Sequence, residues 1–134
     1  GNFFLKPNGV CTLTRGKPYI GTCADWQKES SATESWGIQS GPMLLIDGVR
    51  HPAFNQNSKS KLHRNGVGMD DKGRFVFAIT DKGEAVNFWD FAGLFLQLKC
   101  QNALFLDGVI SKMSVNPQKP VESNLFGAIF VIAD

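Results

Sequence analysis

The chain has 134 residues, 43% of them hydrophobic, with 14 basic and 12 acidic side chains and a net charge of +2. That length suits one domain able to bury most of its apolar surface, and 11 Phe and 3 Trp against a single Tyr predict an aromatic-rich packed core rather than disorder. A charge so near neutral gives no electrostatic case for nucleic acid, and the apolar runs are too short to span a bilayer.

Asn2 to Leu5, Val10 to Thr14 and Pro18 to Ile20 read as short antiparallel strands broken by Pro7-Asn8-Gly9 and Arg15-Gly16-Lys17. An apolar strand at the first residues suggests a domain separated from its N-terminal part. Thr22 to Asp25 has the form of a capping box and opens a short helix near 23–29, followed by a polar loop to Ser35. Trp36 to Ile46 leads into a strand, and Asp47-Gly48 is a two-residue hairpin signal before Val49. The segment from His51 to Ser60 has no apolar period and reads as a long exposed loop.

Leu62 to Met69 returns as a strand whose glycines permit close approach of another backbone or a ligand. Asp70-Asp71-Lys72-Gly73 turns it into Arg74 to Thr80; this is turn chemistry rather than a cation site. After the turn at Asp81 to Gly83, Asn87 caps the best helix of the chain, about 87–98, with Phe88, Phe91, Ala92, Phe95 and Leu98 on one face. Trp89 lies in that helix and reads as core, whereas Trp36 is placed to stack on a sugar. A last strand is expected from Leu125 to Ile132.

Between them stands Asn102-Ala-Leu-Phe-Leu-Asp107-Gly108-Val-Ile-Ser111. A run this apolar and short reads as a buried strand, Ala103 to Leu106, that delivers the Asp107 carboxylate where the chain leaves the sheet. A helical turn over 109–113 would aim free N–H groups at the same spot and favour an anion. The alternative is that Asp107-Gly108 is only a turn. Cys11, Cys23 and Cys100 lack the paired spacing of a zinc module, and His51 and His63 lack ligand spacing, so neither metal nor cofactor is expected. The thiols form either one disulfide or none.

The succession QSGPMLLIDG, RNGVG and NFWDFAGLFLQLKCQNALFLDGVIS resembles the phosphodiester glycosidase family, in particular its bacterial members of unassigned substrate. In that family an (R/K)-x-x-x-G strand precedes a helix and then a Leu-Asp-Gly-Gly-Gly-Ser stretch. Arg64 to Gly68, the helix from Asn87, and Leu106 to Ser111 match in order and spacing. Val109-Ile110 stand where many members carry two further glycines, and nothing corresponds to the family's additional N-terminal strands.

The resemblance implies hydrolysis between a sugar's anomeric carbon and a phosphodiester oxygen. Phosphate is a weakly basic leaving group that needs charge neutralisation more than protonation, which relaxes the usual demand for two carboxylates. Asp107 is then the catalytic carboxylate, nucleophile or general base, and Arg64 the guanidinium that forks onto phosphate oxygens. Ser40 and Gly41 offer a hydroxyl and an N–H to the same anion; Asn65, Gly66, Gly108 and Ser111 complete the substrate site. His63 alternates to the other face of the strand from Arg64 and reads as a surface residue. Histidine titrates near neutrality, which makes His51 a candidate acid or sugar-binding group.

The expected architecture is α+β: a largely antiparallel sheet system of about seven strands with the 87–98 helix packed across it. The expected substrate is an extracytoplasmic glycoconjugate, in a periplasmic or secreted setting. Two rival readings follow from the N-terminal strands and Val109-Ile110. One is a carbohydrate- or phosphate-binding module without turnover; the other is a partial domain completed by a second copy or another chain through exposed strand edges.

Overall fold

The computed structural model describes residues 5–29, 35–108, 110–115, 118 and 130–133. Its strands are β1 (Gly9–Thr14), β2 (Lys17–Thr22), β3 (Ser35–Ser40), β4 (Met43–Ile46), β5 (Val49–Arg50), β6 (Asn65–Asp70), β7 (Phe75–Ile79) and β8 (Cys100–Phe105); its helices are α1 (Cys23–Glu29) and α2 (Phe88–Gln97). They form a three-stranded sheet, β2-β1-β3, and a five-stranded sheet, β5-β4-β8-β6-β7, with antiparallel pairing throughout. The fold is therefore α+β.

Local chemistry sets the turns. Arg15-Gly16 and Asp47-Gly48 each place two residues at positive φ, which gives two-residue hairpins whose twist suits the strands they join. Thr22 Oγ1 accepts from the Asp25 N–H at 3.1 Å and donates to the Asp25 carboxylate at 2.8 Å, so the expected box opens α1. Asn87 Oδ1 accepts from the Asp90 N–H at 2.8 Å and caps α2. Lys99 at φ 62° ends that helix, and Leu98, expected on the buried face, is 41% exposed at the cap.

Three layers result. Ala103 and Phe105 of β8 meet Phe91, Ala92 and Phe95 of α2 on one side of the larger sheet. Leu104 of β8, with Met43 and Val67, meets Cys11 and Ile20 of the smaller sheet on the other. Strand alternation thus covers both faces of β8 and makes it the centre of the molecule. Gly93 inside α2 costs about 1 kcal/mol relative to alanine, whereas burying Phe91 and Phe95 contributes roughly 2 kcal/mol each, so packing holds this helix. The three cysteines are free thiols, and burial pushes Cys11 and Cys100 up to about 11.

Two expectations need correction. The run from Trp36 to Ile46 is two strands in different sheets: the chain crosses between them at Gly41-Pro42, where proline has no N–H to continue a ladder. The loop after β5 is anchored at its start, because His51 and Phe54 are buried in a stack that continues to Phe88 at the start of α2. Residues 2–4 of the first expected strand and 125–129 of the last lie outside the described residues. No helix among the described residues is long and apolar enough to cross a membrane.

Candidate functional site

Antiparallel register gathers the predicted site at one end of the two sheets. Phe105, the last residue of β8, donates its N–H to Pro42 O just before β4 and pairs across with Gly66 near the start of β6. The smaller sheet brings Gly9 of β1 opposite Ser40 at the end of β3 and Thr22 at the end of β2. The ends of six strands therefore form a rim around the point where Asp107 leaves β8.

Asp107 is exposed and sits at φ 94°, a conformation that costs a non-glycine residue on the order of 1 kcal/mol and aims the chain sharply out of the sheet. Its Oδ1 accepts from the Gly108 N–H at 2.5 Å. Gly108 is buried against the preceding segment of the chain: a methyl there would overlap the His63 carbonyl oxygen and lie 2.8 Å from Arg64 Cα. Only glycine permits that approach. Ser111 donates its N–H to Gly108 O at 3.2 Å and its hydroxyl to Asp107 O at 3.5 Å. This is a turn; no helix is present among residues 110–113, so the expected fan of free N–H groups is replaced by a loop folded back on β6.

Asn65 opens β6 with two contacts to that loop: its carbonyl accepts from Leu106 N at 2.8 Å and its Nδ2 donates to Ser111 Oγ at 3.2 Å. Ser40 ends β3 opposite Gly9, and Gly41 precedes Pro42, whose carbonyl accepts from Phe105 N. Gly41 packs directly over Asn8, and the Asn8 side-chain oxygen is buried with no hydrogen-bond partner among the described residues.

Arg64 departs from expectation. It is 1% exposed, with its guanidinium 3.7 Å above the Phe88 ring centroid. Nε donates to Val86 O at 2.8 Å and Nη2 to Ser60 O at 3.1 Å, and Nη1 is buried without a partner among the described residues. Two of its five N–H groups are bonded to carbonyls and the side chain is buried, so this arrangement presents no open guanidinium edge to a phosphate. Burial also pulls its pKa down to about 10, still far above neutrality, so the cation persists.

Two further expected site residues, Gly66 and His51, are packed inward. Gly66 and Gly68 face α2, where added methyls would lie 3.1 Å from Phe91 Cε1 and 2.7 Å from Phe95 Cδ1. The glycines of RNGVG admit phenylalanine rings rather than substrate. His51 has both ring nitrogens engaged internally: Nδ1 accepts from Ala53 N at 3.0 Å and Nε2 donates to Lys6 O at 2.5 Å. The structure gives it an anchoring role and no open face for an acid or a sugar.

Sequence reasoning passed over His63 and Thr80. His63, half-buried, donates Nε2–H to Ser111 O at 3.1 Å, while Nδ1 lies 2.7 Å from Thr80 Oγ1. Thr80 Oγ1 also accepts from Arg64 N at 2.9 Å. Counting outward from the Asp70–Gly73 turn places Thr80 opposite Arg64, so this pairing was countable in the hairpin. The reach from His63 to Ser111 was not. Among the described residues no cluster of three or more His, Cys, Asp or Glu is arranged to hold a metal ion.

The comparisons with known proteins bear on the family of the chain. Residues 4–128 match the profile described as phosphodiester glycosidase. The uncharacterized protein YigE of Escherichia coli strain K12 is 38% identical over 114 residues, covering 84% of this chain and 43% of YigE, so the chain spans less than half of that relative. With the matched region running from before β1 through β8 and the Asp107 turn, the chain belongs to the phosphodiester glycosidase family.

Proposed function

We propose that this chain carries the reacting carboxylate of a hydrolase that cleaves the glycosidic bond of a sugar-1-phosphodiester, releasing the sugar and a phosphomonoester. One observation carries the reading: Asp107 is presented to solvent at positive φ by a turn locked onto β6, the kind of backbone position that persists only when its surroundings impose it. At that rim the carboxylate attacks the anomeric carbon or takes a proton from the attacking water. The departing phosphate dianion needs donors more than an acid. On this reading Ser40, Ser111, the N–H of Gly41 and the second amide proton of Asn65 are the donors that supply them.

Arg64 takes a different part from the expected clamp. A cation buried at the root of the rim is poorly screened and biases the site toward anions without touching them. A substrate of this class, a phosphodiester-linked glycoconjugate, belongs outside the cytoplasm, and the reading carries that placement with it.

A second reading has its own observation: the occupied guanidinium of Arg64 favours a saccharide-phosphate binding module, or a site completed by further chain. Hydrolysis of a chromogenic sugar-1-phosphodiester by the parent and Asp107→Asn separates the two. The enzyme reading expects the variant to lose at least about a thousandfold in kcat with its melting temperature unchanged. Equal turnover in both proteins would remove Asp107 from the chemistry. Binding without turnover in either would favour the module.

A further inference from the structure

We infer that His63 is a positioning residue: it holds the Asp107 turn in place through its Nε2–H bond to Ser111 O, with Thr80 fixing the ring. The catalytic consequence rests on the hydrolase reading above; the structural one does not. A carbonyl only accepts, so the 3.1 Å contact with Ser111 O places the proton on Nε2. In the neutral ring Nδ1 is then an acceptor, and the Thr80 hydroxyl, 2.7 Å away, donates to it. The Thr80 oxygen in turn accepts from the Arg64 N–H, and Thr80 N donates to Arg64 O at 2.9 Å. Tautomer, ring orientation and backbone register are thereby fixed as one unit.

The segment from His63 to Asn65 grips the turn on three levels. The His63 carbonyl floors Gly108, the His63 ring holds Ser111 O, and Asn65 holds Ser111 Oγ, which itself bonds back to Asp107 O. Asp107 occupies a strained φ, and such a residue relaxes unless several contacts oppose it. Removing the ring leaves Asn65 as the one side chain of the 63–65 segment bonded to Ser111, whose other bonds lie within the turn itself. Protonating the ring does not release it: Nε2–H still donates to Ser111 O, Nδ1–H turns toward Thr80 Oγ1, and the Thr80 hydroxyl swings to Arg64 O at 3.5 Å. The grip therefore survives the change of charge, which separates a positioning histidine from an acid or base.

The test uses the 134-residue chain with His63→Ala, His63→Gln and Thr80→Val. Glutamine's Nε2–H reproduces the donor to Ser111 O without a titrating ring. Amide exchange is measured at Gly108 and Ser111 beside β8, together with kcat, KM and the pH profile on a chromogenic sugar-1-phosphodiester.

Expected in His63→Ala is exchange at least about tenfold faster in the turn with β8 unaffected. With it comes a kcat lower by about tenfold to a hundredfold at nearly constant KM, the cost of a misplacement on the order of 1 Å. His63→Gln restores both and leaves the pH profile unchanged, and Thr80→Val falls between. Unchanged exchange in His63→Ala, or no rescue by glutamine in a folded variant, overturns the inference. Loss of a pH limb in His63→Gln also overturns it, in favour of proton transfer. A parent without turnover sinks the hydrolase reading alone, and the exchange rates still decide the role of His63.

Discussion

Two aspartates stand at opposite ends of the five-stranded sheet and have opposite fates. Asp70, at the far end of β6, has a side chain 6% exposed and saturated with donors: the N–H groups of Lys72 and Arg74, both at 2.9 Å, and the Arg74 guanidinium at 2.7 Å. Asp107, beyond the near end of β8, is exposed, takes the N–H of Gly108 and is thrust outward at φ 94°. Both stand beside turns. A carboxylate enclosed by its own hairpin is a structural part, whereas one on an exposed turn packed against other strands is the one the proposed chemistry uses.

The severest way to break this comparison is Gly108→Ala. The new methyl must displace the His63 carbonyl, so the chain is expected to lose about 3 kcal/mol or more of stability, read as a fall in denaturant midpoint, and turnover with it. Tolerance of alanine there would mean that the turn is not locked.

Next in size is Arg64→Ala. It removes the side-chain donor from Ser60 O and one of the two donors to Val86 O, which keeps the Leu62 N–H, and it uncovers Phe88, for an expected loss of about 2–4 kcal/mol in chemical denaturation. A well-folded Arg64→Ala protein with weakened phosphate affinity would instead restore the direct clamp.

The smallest effect sharpens the contrast most. Asp70→Asn is expected to lower stability modestly and leave turnover intact, the reverse of Asp107→Asn. Hydrogen bonds from the Arg74 backbone and then its side chain hold the Asp70 carboxyl below the usual carboxylate range. A carboxyl depressed on folding stabilises while ionised, so the contribution is fully present above the unfolded value near 3.9 and is lost as pH falls through the folded one. Melts of parent and variant should differ by a constant amount from about pH 5 to 8 and converge below about pH 4. A gap that widens in acid would contradict the assignment.

How far the chain could be read in advance varied with the range of the interaction. Asp47-Gly48, Arg15-Gly16, the Thr22 to Asp25 box and the Asn87 cap were legible because each is satisfied within a few residues. The apolar run before Asp107 was legible as a buried strand because both its faces are covered. The burial of Arg64 was not legible because strand alternation tells that it faces away from His63 but not which face α2 will cover. The burial of His51 was hidden for a related reason: a polar stretch looks exposed until Phe54 finds Phe88, far along the chain.

By itself, then, the sequence determined the element types, the hairpins and the helix cap, the central strand with its terminal carboxylate, and the motif order that marks the family. Those depend on local hydrogen bonds and on the two-residue period of a strand. Tertiary structure alone decided that Trp36 to Ile46 would divide between sheets, that the RNGVG glycines would receive phenylalanine rings, and that Arg64 would be roofed by a loop. It alone brought His63 and Ser111 within 3.1 Å across 48 positions of chain. Such contacts depend on which layers pack together, and no local period records that choice.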